Sequence, residues 1–120
     1  MHELSIAINI IEIVQEEVEK AHAVSVSKIE LEIGTLSGVE LDALEMAMAE
    51  TIGQAGMKAA EIIYHSIEAK AICEECCNEF DPFDFTKVCP YCNSLHTNLL
   101  KGKELNIRSI EVITNHDLTP

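Results

Sequence analysis

The residues best suited to chemistry lie in one stretch, residues 73–92, which contains all five cysteines of the protein. Four of them form two Cys-x-x-Cys pairs, Cys73 with Cys76 and Cys89 with Cys92. A tight turn lets each pair direct two thiolates at one point, so the two pairs predict a tetrahedral metal site of the Zn²⁺ type. Four protein ligands leave no open position for water or substrate. We therefore expect a structural ion, not a catalytic one.

Two alternatives stay open at this site. An iron tetrathiolate uses the same ligands, because thiolate quartets accept either metal, and it would make the protein an electron carrier. The ligand set also has neighbours that could enter it. Cys77 could replace Cys76 only by lengthening the spacer, and His96 is close enough in sequence to be a supporting donor or a substitute ligand. A spare thiol and a surface histidine are the simpler interpretations.

The composition excludes several classes of function. The chain has 120 residues, with 21 Asp and Glu against 8 Lys and Arg, which gives a formal net charge of −13. Phosphate backbones are repelled by that balance, so we expect no nucleic-acid partner. No nucleophile triad, phosphate-binding glycine loop or paired acid and base is recognisable. The sequence therefore predicts no enzymatic activity and no catalytic residues.

The expected cellular location rests on the absence of targeting and membrane-spanning patterns from the sequence. The sequence has neither a secretory signal pattern nor an uninterrupted apolar run of about 18 residues, which predicts no membrane partner. We expect a cytoplasmic protein. In that reducing compartment, paired cysteines are more typical of metal ligands than of structural disulfides.

The elements that must position the cysteines follow from apolar spacing. Helical periodicity begins at Leu4 and predicts a first helix that ends near His22. Apolar and polar residues alternate over 26–33, which predicts a half-buried strand. Residues 37–40, Ser-Gly-Val-Glu, match a capping box that would open a second helix, which ends at the glycines of 53–56.

Two further strands are predicted, over 60–72 and over 105–112. The first changes phase near His65 and Ser66, which predicts a bulge there. A strand, helix, strand order favours a parallel pair with a right-handed crossover. We expect an α+β fold in which two helices pack on a three-stranded mixed sheet, with an inserted zinc-ribbon subdomain that holds its ion by four cysteines.

The expected domains are a helix and sheet domain, residues 1–72 plus 101–120, and a zinc-ribbon domain, residues 73–100. A unit as small as the ribbon cannot stabilise itself on apolar burial alone. We expect the little core it has to be formed by Phe80, Phe83, Phe85 and Leu95.

The amino terminus is the second place with distinctive chemistry. The terminal amine of Met1, together with the amide and imidazole nitrogens of His2, can close adjoining chelate rings on one ion. An all-nitrogen set of this kind suits Ni(II) or Cu(II), and Glu3 could complete it. Taken alone, a histidine at position 2 is a weak signal.

Several short segments are more specific in combination than any one of them is alone. The chain begins Met-His-Glu-Leu-Ser, residues 33–39 read Ile-Gly-Thr-Leu-Ser-Gly-Val, the second cysteine pair reads Cys-Pro-Tyr-Cys, and residues 102–112 close the pattern. With these features the chain resembles the HypA/HybF family of hydrogenase nickel-incorporation proteins over nearly its whole length. Cys77 stands where that family usually has another residue.

The resemblance implies a nickel metallochaperone that is not an enzyme. It implies transient Ni(II) on the Met1 amine and His2, with Glu3 in support, and a structural Zn(II) on Cys73, Cys76, Cys89 and Cys92. The implied partners are a HypB-type GTPase and the hydrogenase large subunit, which receives nickel for [NiFe]-hydrogenase maturation. The competing interpretation is a zinc-ribbon adaptor that only docks proteins and does not bind nickel.

Overall fold

The structure is a computed structural model that describes residues 3–82 and 88–115. Within them the chain forms two helices and six strands. No helix in these ranges is long and apolar enough to cross a membrane. The elements in chain order are α1 Glu3–Lys20, β1 Ser25–Gly34, α2 Leu41–Gln54, β2 Glu61–Ile67, β3 Lys70–Cys73, β4 Glu79–Phe80, β5 Thr97–Lys101 and β6 Leu105–Ile113.

Three of the strands form a mixed sheet in the order β2-β1-β6. Val24, just before β1, donates its backbone N–H to the carbonyl of Ile113 at the end of β6, at 2.7 Å, so these two strands run antiparallel. Thr35, just after β1, donates its N–H to the carbonyl of Ile67 at the end of β2, at 2.9 Å, so this pair is parallel. The predicted fold class, two helices with a three-stranded mixed sheet and a four-cysteine cluster, is confirmed.

The chain divides into two compact units, one of residues 1–31, 39–64 and 107–120, the other of residues 32–38 and 65–106. In the first unit, α1 and α2 pack on one another. This division into compact units does not test the domain boundaries predicted at residues 73 and 100, which stay a prediction. The buried side chains of the first unit include Ala7, Ile10, Ile11 and Val14 of α1, Leu44, Ala47, Met48 and Ile52 of α2, and Val26, Ile29 and Leu31 of β1.

The first helix ends close to the predicted position, and its last turn shows why. His22 has a φ of 51°, in the left-handed region. Ala23 donates its N–H to the carbonyl of Val18 at 2.9 Å, and His22 donates to that of Glu19 at 3.1 Å. These bonds form a Schellman motif, which satisfies carbonyls at the end of the helix and turns the chain toward β1.

The capping box predicted at 37–40 is wrong. The second helix begins at Leu41, and its N-cap, Glu40, makes no side-chain capping bond. Ser37 instead donates its N–H to the carbonyl of Gly34 at 3.0 Å, so this serine belongs to the turn that follows β1. The backbone N–H of Glu40 donates to the carboxylate of Glu3 on α1, at 3.3 Å.

The single strand predicted over 60–72 is also wrong, because two strands in different sheets occupy that range. After Ile67 the chain leaves the three-stranded sheet, and at Lys70 it enters a second sheet of order β4-β3-β5. Between them Ala69 donates its N–H to Oγ1 of Thr35 at 3.1 Å and belongs to neither strand. The phase change near His65 and Ser66 therefore precedes an exit from the sheet.

Candidate metal centre

The central strand of the second sheet places the first cysteine. β3 pairs antiparallel with β4, where Ala71 lies opposite Phe80, and antiparallel with β5, where Cys73 lies opposite Thr97. Cys73 is the last residue of β3 and is fully buried. The sheet thus fixes one thiol at the point where the chain turns.

The first cysteine pair lies in a tight knuckle. Cys77 donates its N–H to the carbonyl of Cys73 at 2.9 Å, and Cys73 donates its own N–H to the carbonyl of Asn78 at 3.0 Å. Cys77 has a φ of 62°, which folds the chain back on itself. The backbone N–H of Cys76 points at Sγ of Cys73, 3.5 Å away.

The second pair repeats this arrangement. Asn93 donates its N–H to the carbonyl of Cys89 at 2.8 Å, and Cys89 donates to the carbonyl of Ser94 at 3.0 Å. Asn93 has a φ of 60°. In each knuckle the residue after the second cysteine is left-handed, so Asn93 and Cys77 hold equivalent positions.

The two knuckles bring their four sulfurs together, with every Sγ within 4.8 Å of the others. Sγ of Cys73 lies 3.5 Å from that of Cys92, and Sγ of Cys76 lies 3.6 Å from that of Cys89. A tetrahedron of thiolates around zinc, with Zn–S bonds of about 2.3 Å, has sulfurs about 3.8 Å apart. The donor set therefore fits a tetrahedral ion, and all four cysteines are free of disulfides.

The electrostatics of the cluster favour a cation. The N–H of Cys76 is the main cause that lowers the pKa of the Cys73 thiol to about 6. The N–H of Ser94 lowers the pKa of Cys92, but hydrogen bonding to Cys73, burial and the other thiols outweigh it and raise that pKa to about 12. Ionisation of Cys73 thus disfavours ionisation of its neighbour Cys92, and a dication held between the sulfurs would offset that repulsion.

The two residues that could have entered the ligand set lie outside it. Cys77 is exposed and does not belong to the cluster of sulfurs. The side chain of His96 is 72% exposed, and its Nδ1 lies 3.2 Å from Oε1 of Glu75. Sequence spacing alone left both possibilities open.

The small core beneath the cluster differs from the prediction. Phe80 is buried together with Ala71, Cys73 and Cys89. Leu95 is 74% exposed, so its predicted place in this core is wrong. It follows the tight turn of the second knuckle and points outward. The other two predicted members, Phe83 and Phe85, lie outside the described residues.

Two residues near the cysteines were not predicted. The side-chain amide of Asn78 donates to Sγ of Cys76 at 3.4 Å. Ser94 is buried, and its Oγ accepts the backbone N–H of His96 at 3.0 Å. Each lies two residues after the second cysteine of its pair, where knuckle geometry returns the chain to the first. This shared spacing from the second cysteine was the sequence signal that could have identified both residues.

The predicted nickel residues are only partly described. Met1 and His2 lie outside the described residues. Glu3 is the first residue of α1, and its carboxylate accepts the N–H of Glu40. This contact holds the carboxylate of Glu3 beside the start of α2, in the same compact unit.

Comparison with known proteins gives a consistent result. The family model described as hydrogenase/urease nickel incorporation, metallochaperone, HypA matches residues 1–112. A hydrogenase maturation factor HypA from Parabacteroides distasonis is 43% identical over 112 residues, which cover 93% of this chain and 97% of the relative. One from Chlorobium phaeobacteroides is 36% identical over 112 residues, 93% of this chain and 99% of the relative.

A solved structure supports the fold. The solution structure of the nickel metallochaperone HypA from Helicobacter pylori aligns with a TM-score of 0.68 at 22% identity, covering 96% of this chain and 100% of that one. Sequence and fold agree over nearly the whole length of both chains. This chain therefore belongs to the HypA family of nickel-incorporation metallochaperones.

Proposed function

We propose that this protein binds Ni(II) at its amino terminus and delivers it for the maturation of [NiFe]-hydrogenase. The observation that carries the proposal is the match of the HypA family model to residues 1–112, a range that includes the terminal Met-His-Glu. The proposed nickel ligands are the Met1 amine and His2, with Glu3 in support. The proposed partners are a HypB-type GTPase and the hydrogenase large subunit.

The position of Glu3 supports weak, releasable binding. Glu3 begins α1, so a cation bound there meets the positive end of the helix macrodipole, which opposes it by roughly 0.3 to 1 kcal/mol. The Glu3 carboxylate also accepts a hydrogen bond from Glu40. A metal that draws on this carboxylate competes with that bond, and modest affinity suits a protein that must release its cargo.

We assign the cysteine cluster a structural zinc. Cys73, Cys76, Cys89 and Cys92 supply four thiolates at separations that fit tetrahedral coordination. When bound, zinc neutralises the clustered thiolates and joins the two knuckles, as in other structural sites with no open coordination position. The activity proposed is thus metal transfer without catalysis. Unpaired thiols of this kind are typical of a reducing compartment, which agrees with a cytoplasmic protein.

Nickel calorimetry on protein with a native amino terminus tests the proposal. We expect one extra residue before Met1 to abolish nickel binding, because it turns the amine into an amide and moves His2 out of its chelate position. His2→Ala should do the same by removing the imidazole. Zinc content provides the control, and it should be unchanged in both proteins. Unchanged nickel affinity in either one would place the nickel elsewhere and end the amino-terminal model.

The pH dependence of the same titration is a second check. Amine and imidazole nitrogens have ordinary pKa values of about 7.7 to 8.0 and about 6.5, so protons compete with nickel for both. We expect nickel affinity to fall steeply below about pH 7, with proton release on binding.

The adaptor and electron-carrier alternatives give different results. A zinc-ribbon adaptor would show no heat of nickel binding, whether its amino terminus is native or extended by one residue. Ferric tetrathiolate absorbs visible light and zinc does not, so the colour of the purified protein distinguishes the electron carrier.

A further inference from the structure

The outer edge of β6 borders an apolar groove in the first compact unit. The sheet order β2-β1-β6 leaves β6 at one edge, and no strand among residues 3–82 and 88–115 pairs with its outer side. A groove of about 430 Å³ runs between this strand and α1. Its apolar lining is formed by Ile13, Ala21, Ile107, Ile110 and Val112.

Backbone groups of the strand face outward along this groove. Ile113 accepts a hydrogen bond from Val24, so its backbone groups point toward β1. In an antiparallel pair the next residue points the other way, so the N–H and carbonyl of Val112 face away from the sheet. An exposed strand edge of this kind is a template for the addition of another strand.

The helix that forms the other wall indicates the charge of the occupant. Ile13 is 46% exposed and adjoins the other apolar side chains of the lining, so it belongs to a contiguous apolar patch. The sequence of α1 contains five glutamates and one lysine. One of the glutamates, Glu17, lines the groove. Arg108 is the basic side chain of the lining. With a net charge of −13, a second copy of this chain would be repelled, whereas a basic segment would be attracted.

We infer that the β6 edge and the α1 groove bind an extended, basic segment of a partner protein by strand addition. Backbone hydrogen bonds to β6 provide the pairing, and alternate apolar side chains of the segment fill the groove. A Lys or Arg side chain of the segment faces Glu17, the α1 glutamate in the groove lining. The inference does not depend on nickel binding, since neither Glu3 nor any of the four clustered cysteines lines the groove.

A peptide selection tests the inference directly. The probe is an immobilised library of peptides of about eight residues, with apolar residues at alternate positions and random residues between them. We expect the intact protein to select peptides enriched in Lys and Arg, with binding that weakens as salt increases. Methylation of the backbone nitrogens of a selected peptide should abolish binding, because strand pairing needs its N–H groups.

Two variants locate the site on the protein. Ile13→Asp places a carboxylate against the apolar lining and should weaken binding of a selected peptide by roughly tenfold or more. Ile8→Asp is the matched control, since Ile8 is 42% exposed on the same helix but does not line the groove, and it should bind as the unmodified protein does. Val112→Pro removes one outward N–H of an edge strand, where proline is tolerated, and should also abolish binding. Circular dichroism checks that each variant is folded.

Several outcomes would overturn the inference. They are a library that yields no binder, enrichment of acidic peptides, or equal loss of binding in the Ile8 and Ile13 variants. A concentration-dependent dimer in sedimentation, disrupted by Ile13→Asp, would assign the edge to a second copy instead.

Discussion

At the scale of single residues, Cys77 and Asn93 occupy equivalent left-handed positions, with φ values of 62° and 60°. Asparagine tolerates this conformation better than most residues, whereas cysteine has no particular preference for it. We expect Cys77→Asn to retain one equivalent of zinc and to raise the free energy of unfolding by roughly 0.5 to 1 kcal/mol. Zinc analysis and urea denaturation measure the two effects. Cys76→Asn, as the matched variant, should lose the metal. Loss of zinc from Cys77→Asn would instead make Cys77 a ligand.

A second residue-scale prediction concerns Tyr64 on β2. Burial, with the nearby carboxylate of Glu45, raises the pKa of Tyr64 from 10.0 to about 12. The folded pKa is higher than the unfolded one, so the stability that the neutral phenol contributes is complete below about pH 10. It is lost as the pH rises toward about 12. We expect the free energy of unfolding to fall over this range.

Tyr64→Phe should reduce that fall, since the phenol can no longer ionise. Tyr91→Phe is the matched control, because Tyr91 is 67% exposed and its removal should leave the profile unchanged. Denaturant unfolding at several pH values between about 9 and 12 measures the difference. Identical profiles for Tyr64→Phe and the unmodified protein would contradict the assignment.

At the scale of elements, the second sheet and the cysteine cluster should depend on each other. Cys73 ends β3 and contributes one sulfur to the cluster, and apparent zinc affinities in small domains reach about 10 to 16 kcal/mol. We expect Cys73→Ser to lose zinc and the amide protection of β3 to β5, measured by metal analysis and hydrogen exchange. The helices should keep their protection, because their core lies in the other compact unit.

Cys77→Ser is the control for this experiment and should behave as the unmodified protein does. If Cys73→Ser kept one equivalent of zinc and a protected second sheet, the ligand assignment would be wrong.

At the scale of the whole molecule, charge repulsion should limit stability. Acidic residues outnumber basic ones by 21 to 8. Self-repulsion of this kind destabilises the compact state and is screened by salt, since the Debye length falls from about 30 Å at 0.01 M to about 10 Å at 0.1 M. We expect the thermal midpoint to rise over that range. Glu12→Gln with Glu16→Gln should raise it at low salt and much less at high salt. A midpoint that falls as salt is added would contradict this account.

The sequence by itself determined the features that depend on local spacing. The Cys-x-x-Cys pairs predicted the cluster because two residues are the span of a tight knuckle, and both knuckles form as expected. The helical periodicity of α1 and the alternation of β1 predicted those elements, since burial of one face follows directly from such a pattern. The nickel site at the amino-terminal Met-His-Glu stays a prediction, because Met1 and His2 are not among the described residues.

The tertiary structure alone decided where distant segments meet. A Cβ on Gly34 would lie 2.1 Å from the carbonyl oxygen of Gly102, and one on Gly102 would lie 2.6 Å from Cα of Ala69. This crowding of three backbones occurs where the strand predicted over 60–72 leaves one sheet for another. Likewise, the bond from Glu40 to Glu3 and the groove beside β6 join residues far apart in sequence. Local patterns report which face of an element is buried, but they do not report which other segment buries it.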